Sequence, residues 1–176
     1  MKRHELEHLI RAAAAITDQY EIVVVGSQSI LGAFPDAPDS LLLSMEADLF
    51  PLARPDLADL IDGAIGELSP FEERFGYYAQ GVGPETSVLP SGWKDRLVRI
   101  QNSNTDLKIG YCLEPHDLAV AKLVAAREKD FEFVDAMLHH RLIELRVLKE
   151  RIELLQIPEA SKARLRGWVA GRSEDA

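Results

Sequence analysis

The sequence predicts an α+β fold: a mixed sheet flanked by helices, with a bundle of helices at the C-terminal end. Three observations carry this. Ile22-Val23-Val24-Val25 is a continuous β-branched run, the pattern of a strand buried on both faces. Met45-Glu46-Ala47-Asp48-Leu49-Phe50 alternates acidic and apolar residues, the pattern of a strand with one polar face. From Glu114 onward, apolar residues recur at helical spacing. The chain thus divides into an α/β-like core, residues 1–113, and a C-terminal helical region, residues 114–176, packed on that core.

The elements follow in order. Leu6, Leu9, Ile10, Ala13 and Ile16 form the apolar stripe of a helix over about 4–18. Tyr20 to Val25 is the first strand, and Ser27 to Gly32 a short helix entered through Gly26. Pro35 and Pro38 make 34–40 a loop. After the acidic strand, Pro55 opens a helix whose stripe is Leu57, Leu60, Ile61, Ala64, Ile65 and Leu68. Glycines and prolines make 71–93 irregular, with short strands at 77–80 and 86–89. Arg96–Ile100 and Leu107–Leu113 form a hairpin about the turn Asn102–Thr105. One helix then runs from about Asp117 to His140. Two more cover about Ile143–Leu155 and Glu159–Ala170, and the chain frays from Gly171.

Composition narrows the function. Apolar residues make up 47 % and charged residues 28 % of 176, ordinary for a globular protein. A net charge of −9 argues against broad, nonspecific nucleic-acid binding. The lone Cys112, between Tyr111 and Leu113, excludes an intrachain disulfide and reads as a packed strand residue. No stretch reaches the roughly 20 apolar residues of a membrane helix, and the acidic first turns do not resemble a secretion signal. A cytoplasmic location is the expectation. His4 and His8, one turn apart, read as a solvated helix face.

The chemistry lies in two stretches. Glu46 and Asp48 are two apart on a strand, so their carboxylates share a face about 7 Å apart, as a site for Mg²⁺ requires. Gly26-Ser27, at the end of the first strand, suits a phosphate: Gly26 admits close approach and Ser27 offers a hydroxyl. Together they supply the minimum equipment for nucleotidyl or phosphoryl transfer on two Mg²⁺ ions. Lys122, among apolar neighbours, must snorkel or meet an anion. It is assigned to the triphosphate, with Arg127, Lys129 and Asp130 completing the nucleotide-binding set. Glu85 and Asp95 are the candidates for a third metal carboxylate, with Asp106 behind them. Arg96, Arg99, Lys108, Lys122, Arg127 and Lys129 make up a candidate basic rim.

Gly26-Ser27 followed by Glu46-Ala47-Asp48 resembles the signature of the nucleotidyltransferase fold of the DNA polymerase β superfamily. The stretch Asp117-Leu118, Lys122, Arg127, Lys129-Asp130 and Asp135 is similar to a pattern in small bacterial proteins related to the AbiEii toxins. The spacing from Ser27 to Glu46 exceeds the usual interval, and the first acid is Glu rather than Asp. The resemblance, over residues 20–140, implies a Mg²⁺-dependent enzyme that moves NMP from an NTP to an RNA, tRNA among them, or to a protein hydroxyl. It also implies a toxin–antitoxin setting with an antitoxin partner. The alternative is a catalytically inactive module of the same fold that binds a nucleotide or a partner protein.

Overall fold

The structure, a computed structural model, describes residues 1–172. Its centre is one mixed sheet of five strands: β1 (Glu21–Val25), β2 (Glu46–Pro51), β3 (Tyr78–Gly81), β4 (Val98–Ile100) and β5 (Ile109–Cys112). Their order is β3-β2-β1-β5-β4. β1 lies between β2, antiparallel, and β5, parallel, which explains why Ile22 to Val25 are buried throughout.

Side chains alternate across the sheet, and this alternation sorts the faces. Ile22, Val24, Ala47, Leu49, Ala79, Gly110 and Cys112 belong to one face. It is covered by α1 (Arg3–Thr17), α2 (Ile30–Ala33) and α3 (Ala58–Ile65). Packing there is close: a Cβ on Gly110 would lie 2.4 Å from Ile10 of α1, and one on Gly32 of α2 would lie 2.4 Å from Cys112. Cys112 is buried as its sequence context predicts, and burial pushes its thiol up to about 12. Glu46, Asp48, Tyr78 and Gln80 belong to the opposite face.

The C-terminal region holds α5 (Pro115–Ala125), α6 (Glu128–His139), α7 (Leu145–Glu153) and α8 (Glu159–Ala170). The apolar residues of these helices join those of the sheet in one core. No helix among the described residues is long and apolar enough to cross a membrane.

Several expectations are corrected. The helix expected over about 117–140 is two, because Ala126 turns left-handed (φ 56°) and Arg127 is extended. A short helix, α4 (Pro70–Phe75), occupies part of the stretch read as irregular; Ser69 caps it by accepting from Glu72 N–H. No strand forms at 86–89, where Thr86 ends a 3₁₀ turn instead. His8 is half-buried rather than solvated: it packs among Phe71, Phe75 and Tyr77, with Nδ1 2.8 Å from the Tyr77 hydroxyl. Arg172 is tied to Asp135 and lies over Trp168, so fraying does not begin at Gly171. The rest of the expected frayed end, 173–176, lies outside the described residues.

Candidate functional site

The antiparallel register of β1 and β2 builds the site. Val25, the last residue of β1, is paired with Asp48. The next residue, Gly26, therefore meets the Asp48 side chain: a Cβ on Gly26 would lie 2.0 Å from Asp48 Oδ2. Gly26 also has φ 67°, so glycine is required twice here, by the backbone and by the carboxylate.

Glu46 is on the same face of β2, two residues before Asp48, and close enough to act on its carboxyl. Burial and the Glu46 charge together push the Asp48 carboxyl up to about 6. Glu46 is held from the other side. The parallel pairing of β2 and β3 sets Tyr78 beside it, and the Tyr78 hydroxyl donates to Glu46 Oε2 at 3.0 Å. Two acids pressed together, one of them with a raised pKa, are a carboxylate pair short of positive charge.

The positive charge comes from the α5–α6 elbow. Lys122 Nζ donates to Ser27 Oγ at 2.7 Å, pairs with Asp130 Oδ1 at 3.1 Å, and lies 5.1 Å from the Phe133 ring centre. In one continuous helix, residues 122 and 130 would be about 12 Å apart along the axis. The break at Ala126 and Arg127 folds α6 back and closes that gap. Burial draws Lys122 below the usual lysine range, opposed by the Asp130 charge. Burial alone would raise Asp130, but hydrogen bonds from Arg127 and the Lys122 charge hold it low. Arg127 binds Asp130 through Nε (2.6 Å) and Nη2 (3.2 Å) while its side chain stays 59 % exposed. Both cations act electrostatically on Asp48.

Gly26, Ser27, Glu46, Asp48, Lys122, Arg127 and Asp130 are thus brought together beside the end of β1. Other expectations do not join them. Lys129 is exposed and forms no ion pair among the described residues. Glu85 and Asp95 lie in 3₁₀ turns, Pro84–Thr86 and Trp93–Arg96. Among the described residues no group of three or more Asp, Glu, His or Cys is placed to hold a metal ion. The basic rim is also broken. Arg96 is committed to the buried Asp117, and Lys108 lies over Tyr20 at the far end of the sheet from Ser27.

Two further residues beside this cluster carry no signal in the sequence alone. Tyr78 was visible only as a strand residue; its role depends on the β2–β3 register. Gln28, next to Ser27, is buried with both amide atoms unpartnered among the described residues, an arrangement that costs about 1–3 kcal/mol. The turn therefore holds polar capacity that the protein does not spend on itself.

A strand-end glycine-serine turn thus faces acid-x-acid on the next strand and is backed by a buried lysine. A family model described as "Nucleotidyltransferase of unknown function (DUF6036)" matches residues 4–169. The chain belongs to that family. No curated protein and no solved structure matches it. The match gives this protein its family, one described as nucleotidyltransferases of unknown function.

Proposed function

We propose that the protein is a Mg²⁺-dependent enzyme that transfers NMP from an NTP to a hydroxyl of an RNA or a protein. The observation that carries this is the contact of Asp48 with Gly26. It supports the reading because a carboxylate beside a glycine-serine turn is the juxtaposition that a metal-bound triphosphate needs.

The residues fit the metal. Glu46 and Asp48 are adjacent acids, and the raised pKa of Asp48 marks a place where positive charge is missing. They would hold Mg²⁺, which supplies charge neutralisation at the triphosphate and a lowered pKa at the attacking hydroxyl. Tyr78 orients Glu46 and leaves its other oxygen unoccupied by that hydroxyl. Gly26 keeps the turn open to a phosphate, and Ser27, whose oxygen accepts from Lys122, has its own O–H left to donate. Lys122 is engaged by Ser27, Asp130 and Phe133, so it acts mainly by fixing the turn and the field. The exposed Arg127 is the cation best placed to bind the triphosphate tail.

A second reading is favoured by one observation, the want of a third acid grouped with Glu46 and Asp48 among the described residues. In it the protein binds nucleotide without transferring it. A partner antitoxin belongs to the first reading and rests on the family resemblance alone. Incubation with each α-labelled NTP, Mg²⁺, and either total RNA or total protein separates the two. Label on an acceptor, lost in Asp48→Asn, supports the enzyme; binding without label supports the silent module.

A further inference from the structure

A cavity of about 330 Å³ opens on the C-terminal helices, away from the nucleotidyltransferase site. Its walls are apolar: Leu123 and Val124 of α5, Phe131 of α6, Ile157, and Leu165 and Trp168 of α8. Phe131 and Trp168 stack with centroids 5.8 Å apart, and Arg172 lies over the Trp168 ring. Lys122 engages Ser27 and Asp130, while the adjacent residues Leu123 and Phe131 line the cavity, so both sites draw on the α5–α6 elbow. The volume falls within the range of small-molecule pockets.

The polar lining is sparse and of one sign. Ser161 and Arg164 supply it. Five arginines lie between positions 146 and 172. Four of them, Arg146, Arg151, Arg166 and Arg172, pair with acids. Arg164 has no ion pair among the described residues, although the chain carries a net charge of −9. A cation with no ion pair among the described residues, on the rim of an apolar hole in an acidic protein, suits an anion with an apolar body.

We propose that this cavity is a second ligand site, for a small amphipathic anion. Its apolar body lies against Phe131, Leu165 and Trp168, and its carboxylate or similar head is met by Arg164 with Ser161 beside it. This inference does not depend on nucleotide binding at the first site.

The test uses Trp168 as its own reporter. In a Trp93→Phe background Trp168 is the remaining tryptophan. The protein is titrated with sodium decanoate and with decanol, both below their aggregation limits, with calorimetry and sedimentation in parallel. Expected are one-to-one binding of decanoate, a shift in Trp168 emission, and weaker binding of decanol. Arg164→Gln should weaken decanoate by about fivefold and leave decanol unchanged. Ser161→Phe should abolish both by filling the rim. No decanoate binding, or binding indifferent to both variants, overturns the proposal. So does sedimentation as a dimer that Ser161→Phe dissolves, because the face would then belong to a second copy.

Discussion

The Asp48 carboxylate occupies the space that a side chain on Gly26 would fill, with 2.0 Å between Oδ2 and the position of that missing Cβ. Gly26→Ala must therefore displace Asp48 or the turn, and it also strains a backbone at φ 67°. The expected cost is about 1–3 kcal/mol, with loss of nucleotide binding. Gly63→Ala is the control. Gly63 lies inside α3 with open space around it, and alanine there should leave stability unchanged or raise it by up to about 1 kcal/mol. Thermal melts of the two variants check the contrast.

Asp48 makes metal-free stability depend on pH. Its carboxyl is raised from 3.8 to about 6 by burial and by Glu46. A raised pKa contributes stability that is complete below about 3.8 and is lost as pH rises through about 6. That interval corresponds to at most about 3 kcal/mol. With EDTA present, Asp48→Asn should melt above the wild type at pH 8, and the difference should close below about pH 4. Melting curves across that range decide it.

Asp130 and Arg127 separate burial from exposure within one ion cluster. Asp130 is fully buried and holds both Lys122 and Arg127. Asp130→Ala leaves Lys122 buried without its counter-ion and should cost about 3–5 kcal/mol in denaturant unfolding. Arg127→Gln, at a largely exposed side chain, should cost under about 1 kcal/mol yet weaken NTP binding clearly.

Tyr78→Phe removes the hydrogen bond to Glu46 Oε2 and nothing else of comparable weight. Stability should fall by about 1 kcal/mol. The Mg²⁺ concentration that half-saturates nucleotide binding should rise by about tenfold, because Glu46 loses its orientation. At saturating Mg²⁺ the variant should match the wild type.

What the sequence revealed, and what it hid, follows the range of the forces involved. β1 was legible because four consecutive β-branched residues suit a strand covered on both faces. α8 was legible to its ends, Glu159 and Ala170, because Pro158 and Gly171 flank it. The pair Glu46 and Asp48 was legible because strand alternation is local. The break in the helix at Ala126 was not. It is stabilised by Lys122 reaching Asp130 and Ser27, contacts that exist only once the chain has folded. Tyr78 was hidden for the same reason, since a parallel register between distant strands sets it beside Glu46. The short helix α4 left a usable signal, Ser69-Pro70 with Glu72 behind it, but six residues carry little periodicity.

The most direct test of the account is binding of a nonhydrolysable NTP to wild type and to Asp48→Asn, each with Mg²⁺ and with EDTA. Binding is expected for the wild type in Mg²⁺ alone, and none for the folded variant in either buffer. Equal affinity in EDTA, or undiminished Mg²⁺-supported binding by Asp48→Asn, would contradict it.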